Sequence, residues 1–288
     1  MPRSVDELTA LIDLEEIEVG LFRAAQPTTS LQRVFGGQVL AQALTAAART
    51  VPASRRVHSL HGYFLMAGRT DTPIVYDVEL VRDGGSFSWR RVVARQSGRV
   101  IFYLSCSFHE AEEGFEHADP VPEGVPEPGS CPRLSDVLAG ASGRPASMWE
   151  REWGVLDVRY VGDSRPGGAL ADPAHPARAR VWVKVDGTLP DDPTLHQAVL
   201  AYASDLTLLA ATTVPHGVLV GLTVQAASLD HAMWFHRPFR ADSWLLYDQI
   251  SPSASGALGL STGRLFQDGR LVSAVAQEGL IRPLKPRE

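Results

Sequence analysis

Cysteine is scarce in this chain. Two in 288 residues, Cys106 and Cys131, do not make a disulfide framework, which fits a reducing compartment. Long basic runs are missing as well, and the net charge is −6, so no electrostatic footprint for nucleic acid is indicated. No stretch approaches the roughly eighteen consecutive apolar residues of a membrane span. The opening MPRSVDELTALIDLEEIEVG is acidic, where a secretory signal is basic and then apolar. The closing PLKPRE is not a peroxisomal address of the Ser-Lys-Leu kind. A Gly-x-Ser-x-Gly elbow is absent, and Cys131 falls in an irregular stretch, so a serine or cysteine acyl-enzyme has little support. A soluble, cytoplasmic protein is expected.

What is present is an ordinary globular composition, 44% hydrophobic and 21% charged, with material for one large or two modest domains. Ser4 and Glu7 have capping-box spacing ahead of an apolar stripe at Val5, Leu8, Leu11 and Ile12. FGGQVLAQALTAAART (35–50) reads as a helix opened by a glycine turn. Segments 58–65, 73–81, 88–96 and 99–108 read as strands, with RDGG (82–85) a turn between two of them. Between Asp119 and Pro193 the texture changes: eleven of the twenty prolines fall here, which predicts a long connector with little regular structure. RARVWVKV (178–185) alternates like a strand, and 190–213 reads as a second helix. Strand-like segments at 227–238, 242–250, 256–266 and 269–281 complete the chain.

The order of segments is a repeat. Val39-Leu40-Ala41 before Ala43 matches Val199-Leu200-Ala201 before Ala203. Tyr76-Asp77 and Gly98-Arg99 are spaced like Tyr247-Asp248 and Gly269-Arg270. Each half is a long helix followed by antiparallel-looking strands, an α+β unit whose sheet wraps one apolar helix. The expected units are 1–118, a Pro-rich connector 119–177, and 178–288. Laid together, the halves differ at a few places. Asp205 falls opposite Thr45, Gln277 opposite Cys106, and Ser228 near Ser59; Gly36 and Gly37 face His196 and Gln197. Asp205 lies one turn from Ala201, Tyr202, Leu208 and Leu209, where a carboxylate costs helix propensity and, if buried, desolvation. One half thus supplies a bare-backbone helix N-terminus suited to an anion or oxyanion, and the other the polar side chains. Packing about a pseudo-twofold axis would make one composite site.

FGGQVLAQAL, YFLMAG with RDGGSFSWRR, LAYASDL, LDHAMWFHRPF and AQEG resemble the TesB-type (type II) acyl-CoA thioesterases, from about Leu21 to Arg282. The resemblance implies a double hotdog fold, two helix-wrapped antiparallel sheets fused in one chain. It also implies hydrolysis of fatty acyl-CoA to free CoA and fatty acid. The family's catalytic Asp, Thr or Ser, and Gln fall on Asp205, Ser228 and Gln277. Thr is usual at the middle place, so Ser228 keeps the hydroxyl but loses rotamer stiffness. By analogy with single-hotdog thioesterases, the Gly37 and Gln38 amides are expected to hold the oxyanion.

No cofactor and no metal are expected. His231 and His236 lack a Cys partner or regular ligand spacing, and with His58 and His61 they read as structural. Arg82 and Arg90 or Arg91 are candidates for CoA phosphates, with a solvated strand edge the competing reading. Trp and Phe on the strands, Trp234-Phe235 among them, suggest packing or self-association as a homodimer or homotetramer. Two other functions are weighed: a non-catalytic acyl-CoA sensor or scaffold, and a hydratase-type hotdog enzyme. The latter usually carries Asp-x-Asn-Pro-x-His, a motif this sequence lacks.

Overall fold

A computed structural model describes residues 1–170, 172, 175, 177–218 and 223–284; the last four residues of PLKPRE lie outside this range. The first half contains α1 (Val5–Ile12), β1 (Glu15–Glu18), β2 (Leu21–Ala24), α2 (Gly36–Ala48), β3 (Arg55–Phe64), β4 (Ile74–Asp83), β5 (Phe87–Gln96) and β6 (Arg99–Glu110). Then come α3 (Leu134–Ser142), α4 (Ala146–Trp153), β7 (Leu156–Asp163), β8 (Arg178–Val185) and α5 (Pro193–Ser204). The chain closes with β9 (Val224–Ser228), β10 (Asp230–Phe235), β11 (Leu245–Ser255), β12 (Leu258–Gln267) and β13 (Arg270–Pro283).

The local signals account for the helix ends. Ser4 Oγ accepts from the Glu7 amide, while the Glu7 carboxylate takes the Arg3 amide at 2.7 Å, one residue outside the usual capping box. Asp192 caps α5 through the Thr194 amide at 2.8 Å, with Pro193 in the first turn, where a missing N–H costs nothing. In α2, GGQVLAQALTAAA, nearly every residue from Gly37 to Ala47 is buried. Its alanines and glycines let sheet strands on one side and α5 on another approach closely.

Among the described residues thirteen strands form one antiparallel sheet. Twelve run in the order β1-β2-β4-β5-β6-β3-β10-β13-β12-β11-β8-β7, and β9 pairs with β13. The order reads the same from both ends once equivalent strands are matched: β3 with β10, β6 with β13, β5 with β12, β4 with β11 and β2 with β8. The halves join edge to edge at β3 and β10, where Tyr63 opposes Asp230 and Ser59 opposes Trp234. This is the double hotdog that the resemblance implies: two helices back to back, each wrapped by half of a shared sheet.

Four readings need correction. The 119–177 stretch is not simply irregular; it holds α3, α4 and β7, and β7 extends the second half-sheet by pairing with β8. Pro128 starts a short 3-10 turn and Pro145 caps α4, so proline density disguised the elements. The short β1 and β2 were not read as strands. The helix read over 190–213 is an α-helix only to Ser204; a 3-10 helix, Leu208–His216, follows after a break at Asp205. The strand read over 227–238 is interrupted at Leu229, giving β9 and β10. By length and composition alone Pro193–His216 is apolar enough to cross a bilayer, but 67% of its most apolar window is buried inside the fold.

Candidate active site

The break at Asp205 positions the site. This residue is the C-cap of α5, still with αR backbone (φ −78°, ψ −10°), and its side chain lies against the first turn of α2. Only 4% of that side chain is exposed. It lies between the C-terminal end of one helix and the N-terminal end of another, and the Gly37 amide donates to it. The glycines make this approach possible. A Cβ on Gly36 would sit 2.6 Å from Asp205 Oδ2, and one on Gly37 would sit 2.3 Å from the Tyr202 carbonyl oxygen. Phe64 adds an apolar wall, its ring 3.0 Å from that same Gly36 position.

Two strands bring the remaining groups. The β9–β10 interruption is a bulge against β13: Ser228 opposes Gly279, whereas Ala232 opposes Ala276, so the register slips by one residue. The Leu229 amide and carbonyl are satisfied by Glu278 O and the Phe64 amide, each at 2.9 Å. Asp230 Oδ1 takes the Glu278 amide at 2.7 Å. This local twist turns Ser228 toward Asp205, and Ser228 Oγ donates to Asp205 Oδ1 across 3.4 Å. Gln277, on β13 and wholly buried, donates through Nε2 to Asp205 Oδ1 at 2.5 Å and to Ser228 Oγ at 2.9 Å. Its Oε1 is buried with no hydrogen-bond partner. Asp205, Ser228 and Gln277, spread over 73 positions of sequence from 205 to 277, therefore meet in one cluster.

Burial raises the Asp205 pKa to about 6, against partial relief from Gln277, the Gly37 amide, Ser228 and the more distant Arg33. A carboxylate so placed is ready to take a proton near neutral pH. Gly37 and Gln38 lie in the first turn of α2 beside it. The Gly37 amide faces the carboxylate, and the Gln38 amide makes a 3.2 Å bond to Phe35 O.

The sequence reading missed three neighbours. His231, read as structural, is fully buried with Nδ1 3.8 Å from Asp205 Oδ1; its place three residues after Ser228 was the available signal. Arg33 donates to Ala226 O of β9 at 2.7 Å, and Phe64 lines the glycine turn. Arg90 is corrected as a phosphate candidate: it is 1% exposed and bonded to Thr50 and Asp83, because its strand position faces the half-core. Arg91 is exposed and paired with Glu79. His61 pairs with Asp230 at 3.0 Å, and His58 contacts Ser107 Oγ at 2.8 Å. Among the described residues no group of three His, Cys, Asp or Glu side chains is arranged to hold a metal.

Known proteins share this arrangement of halves. The profile of the acyl-CoA thioesterase N-terminal domain matches residues 24–109, and that of acyl-CoA thioesterase matches residues 171–280. Acyl-CoA thioesterase 2 of Haemophilus influenzae is 36% identical over 96% of this chain and 98% of its own. Human acyl-coenzyme A thioesterase 8 is 38% identical over 97% of this chain and 90% of its own. The crystal structure of an acyl-CoA thioesterase II, TesB2, from Mycobacterium marinum superposes with a TM-score of 0.82 at 43% identity, covering 98% of this chain and 99% of that one. Matches of this extent on both halves make the chain a member of the acyl-CoA thioesterase family.

Proposed function

We propose that the enzyme hydrolyses fatty acyl-CoA to fatty acid and CoA by direct attack of water, with Asp205 as general base and Ser228 and Gln277 as its partners. One observation supports this most: both amide donors of Gln277 are committed to Asp205 and Ser228, while its Oε1 is left as a buried acceptor for the water. Asp205 takes one proton of the water as the oxygen bonds to the thioester carbon. The carbonyl electrons move onto its oxygen. As Asp205 becomes neutral it loosens its hold on the Gly37 amide, which at the positive end of α2 supports the oxyanion; the Gln38 amide joins it by sharing its 3.2 Å bond to Phe35 O. Collapse expels the CoA thiolate, which recovers the proton from Asp205.

Saturated acyl-CoAs of graded length, followed by thiol release, test the reading. Release that disappears in Asp205→Asn, falling by a factor of about 10² or more, supports it. Tight acyl-CoA binding without release would make the chain a sensor, and turnover of an enoyl-CoA without thiol release would make it a hydratase.

The setting we assign is cytoplasmic, which suits two free, buried thiols, Cys106 and Cys131. We also assign self-association as a homodimer or homotetramer. Trp89, Tyr63, Tyr103 and Trp234 lie exposed on β5, β3, β6 and β10 of the shared sheet. Light scattering at micromolar concentration is expected to show a species larger than the 31.2 kDa chain; a monomer alone would remove the assignment.

A further inference from the structure

His231 has no part in the mechanism above, yet it is built into the same cluster. It lies on β10, 0% exposed, with Nε2 2.8 Å from Ser204 Oγ, the residue before Asp205. Its other nitrogen, Nδ1, has no hydrogen-bond partner and lies 3.8 Å from Asp205 Oδ1. A buried ring nitrogen without a partner is costly. A nearby carboxylate gives this one a reason to be there.

Burial keeps the ring neutral, pushing its pKa down to about 3, so the imidazole carries one proton on one nitrogen. The two tautomers are not equivalent here. A lone pair on Nδ1 would face the carboxylate and repel it, whereas an N–H at that position attracts it. With the proton on Nδ1, the Nε2 lone pair is free to accept the Ser204 hydroxyl. The alternative sends the Ser204 proton to Ala201 O, 3.0 Å away, and leaves Nδ1 bare. The carboxylate therefore selects between two hydrogen-bond arrangements that Ser204 can satisfy equally.

We propose that His231 is a positioning residue, held by Ser204 in the Nδ1–H tautomer, that supports the ionised form of Asp205 and keeps its Oδ1 turned toward Gln277 and Ser228. The proposal rests on the reading of Asp205 as the base. The other groups acting on that carboxylate are Gln277 from β13, Ser228 from β9, the Gly37 amide of α2 and Arg33 from the preceding loop. Tyr247 of β11 also lies near and stays neutral, since burial raises its pKa far above the usual value. Asp230 and His61 act on the His231 ring itself.

Two measurements on the full chain test this. The first is nitrogen NMR of ring-labelled histidine, which reads the tautomer directly and needs no turnover. The expected result is a protonated Nδ1 and a bare Nε2, with both resonances moving as Asp205 titrates; an Nε2–H tautomer with Asp205 ionised overturns the proposal. The second is the pH profile of kcat. His231→Leu is expected to move the acidic midpoint upward by about half to one pH unit, and His231→Asn, which keeps an amide N–H in reach, to restore it. An unmoved midpoint in a folded His231→Leu, with loss confined to the plateau or to the melting temperature, assigns a structural role instead. Failure of the parent reading looks different: thiol release would survive Asp205→Asn.

Discussion

A carboxyl that titrates near 6 when folded, against 3.8 for the free side chain, ties activity and stability together at Asp205. If Asp205 is the base, as proposed, it must be ionised, and kcat is expected to rise with pH through about 6 and then level. Stability runs the other way. Between about pH 4 and 6 the folded chain binds more protons at this residue than the unfolded one, so its contribution to stability falls as pH rises. Above that window the buried charge costs the fold about 3 kcal/mol. Asp205→Asn is therefore expected to abolish hydrolysis yet melt at a higher temperature than the parent at pH 8. That gain should shrink to a small fraction at about pH 4, where the folded carboxyl is neutral and the unfolded one about half ionised, and vanish by about pH 2–3, where both are neutral. Thermal melts of the pair at about pH 8 and about pH 4 check it, and equal differences at both would contradict the buried charge. From the sequence, Asp205 was recognisable as a carboxylate among apolar neighbours. The degree of burial was not, because it depends on Gly36 and Gly37 of the other half closing over it.

Elements aim these residues by stopping short. α5 ends at Ser204, and its C-cap Asp205 lies against the glycine turn that opens α2. The bulge at Leu229 turns Ser228 toward Asp205. Neither break carries glycine or proline, so neither was visible in the residue pattern. The bulge is set by Asp230 taking the Glu278 amide, a tertiary bond. A third device is α4, which tethers the segment ahead of the glycine turn. Glu152, 5% exposed, accepts from Thr29 Oγ1 and Ser30 Oγ, both at 2.5 Å, and from the Ser30 amide at 2.9 Å. Burial raises its pKa, but the Ser30 and Thr29 bonds outweigh that and hold it below the ordinary value. Glu152→Gln sets an amide against donors, which costs about 1–3 kcal/mol. The expected outcome is a lower melting temperature and a KM that rises more than kcat falls. Steady-state kinetics of the folded variant read the second effect.

Across the whole molecule, pseudo-symmetry explains why one site is expected and not two. The equivalent place in the other half has Thr45 for Asp205 and Cys106 for Gln277. There α5 carries His196 and Gln197 where α2 has Gly36 and Gly37, and Gln197 is occupied with the Val57 carbonyl at 2.9 Å. His196 is likewise occupied, accepting the Ala241 amide at 3.0 Å. Introducing Thr45→Asp into the Asp205→Asn chain is accordingly expected not to restore thiol release, since no exposed helix amide faces the new acid. Recovery of activity would mean that the glycine turn is dispensable.

The repeat, the two apolar helices and most strands were legible from residue order, because periodicity is a local property that burial on one face imposes. Asp205, Ser228 and Gln277 were singled out as candidates through the departures of one half from the other and their place in quoted motifs, and the structure brings them within hydrogen-bond reach of one another. The seam between β3 and β10, the strand hidden among the connector's prolines, and the neighbours His231, Arg33 and Phe64 were not legible. These depend on distances between segments remote in the chain. Such distances follow from how two half-sheets pack around α2 and α5, a property that no single stretch of sequence carries.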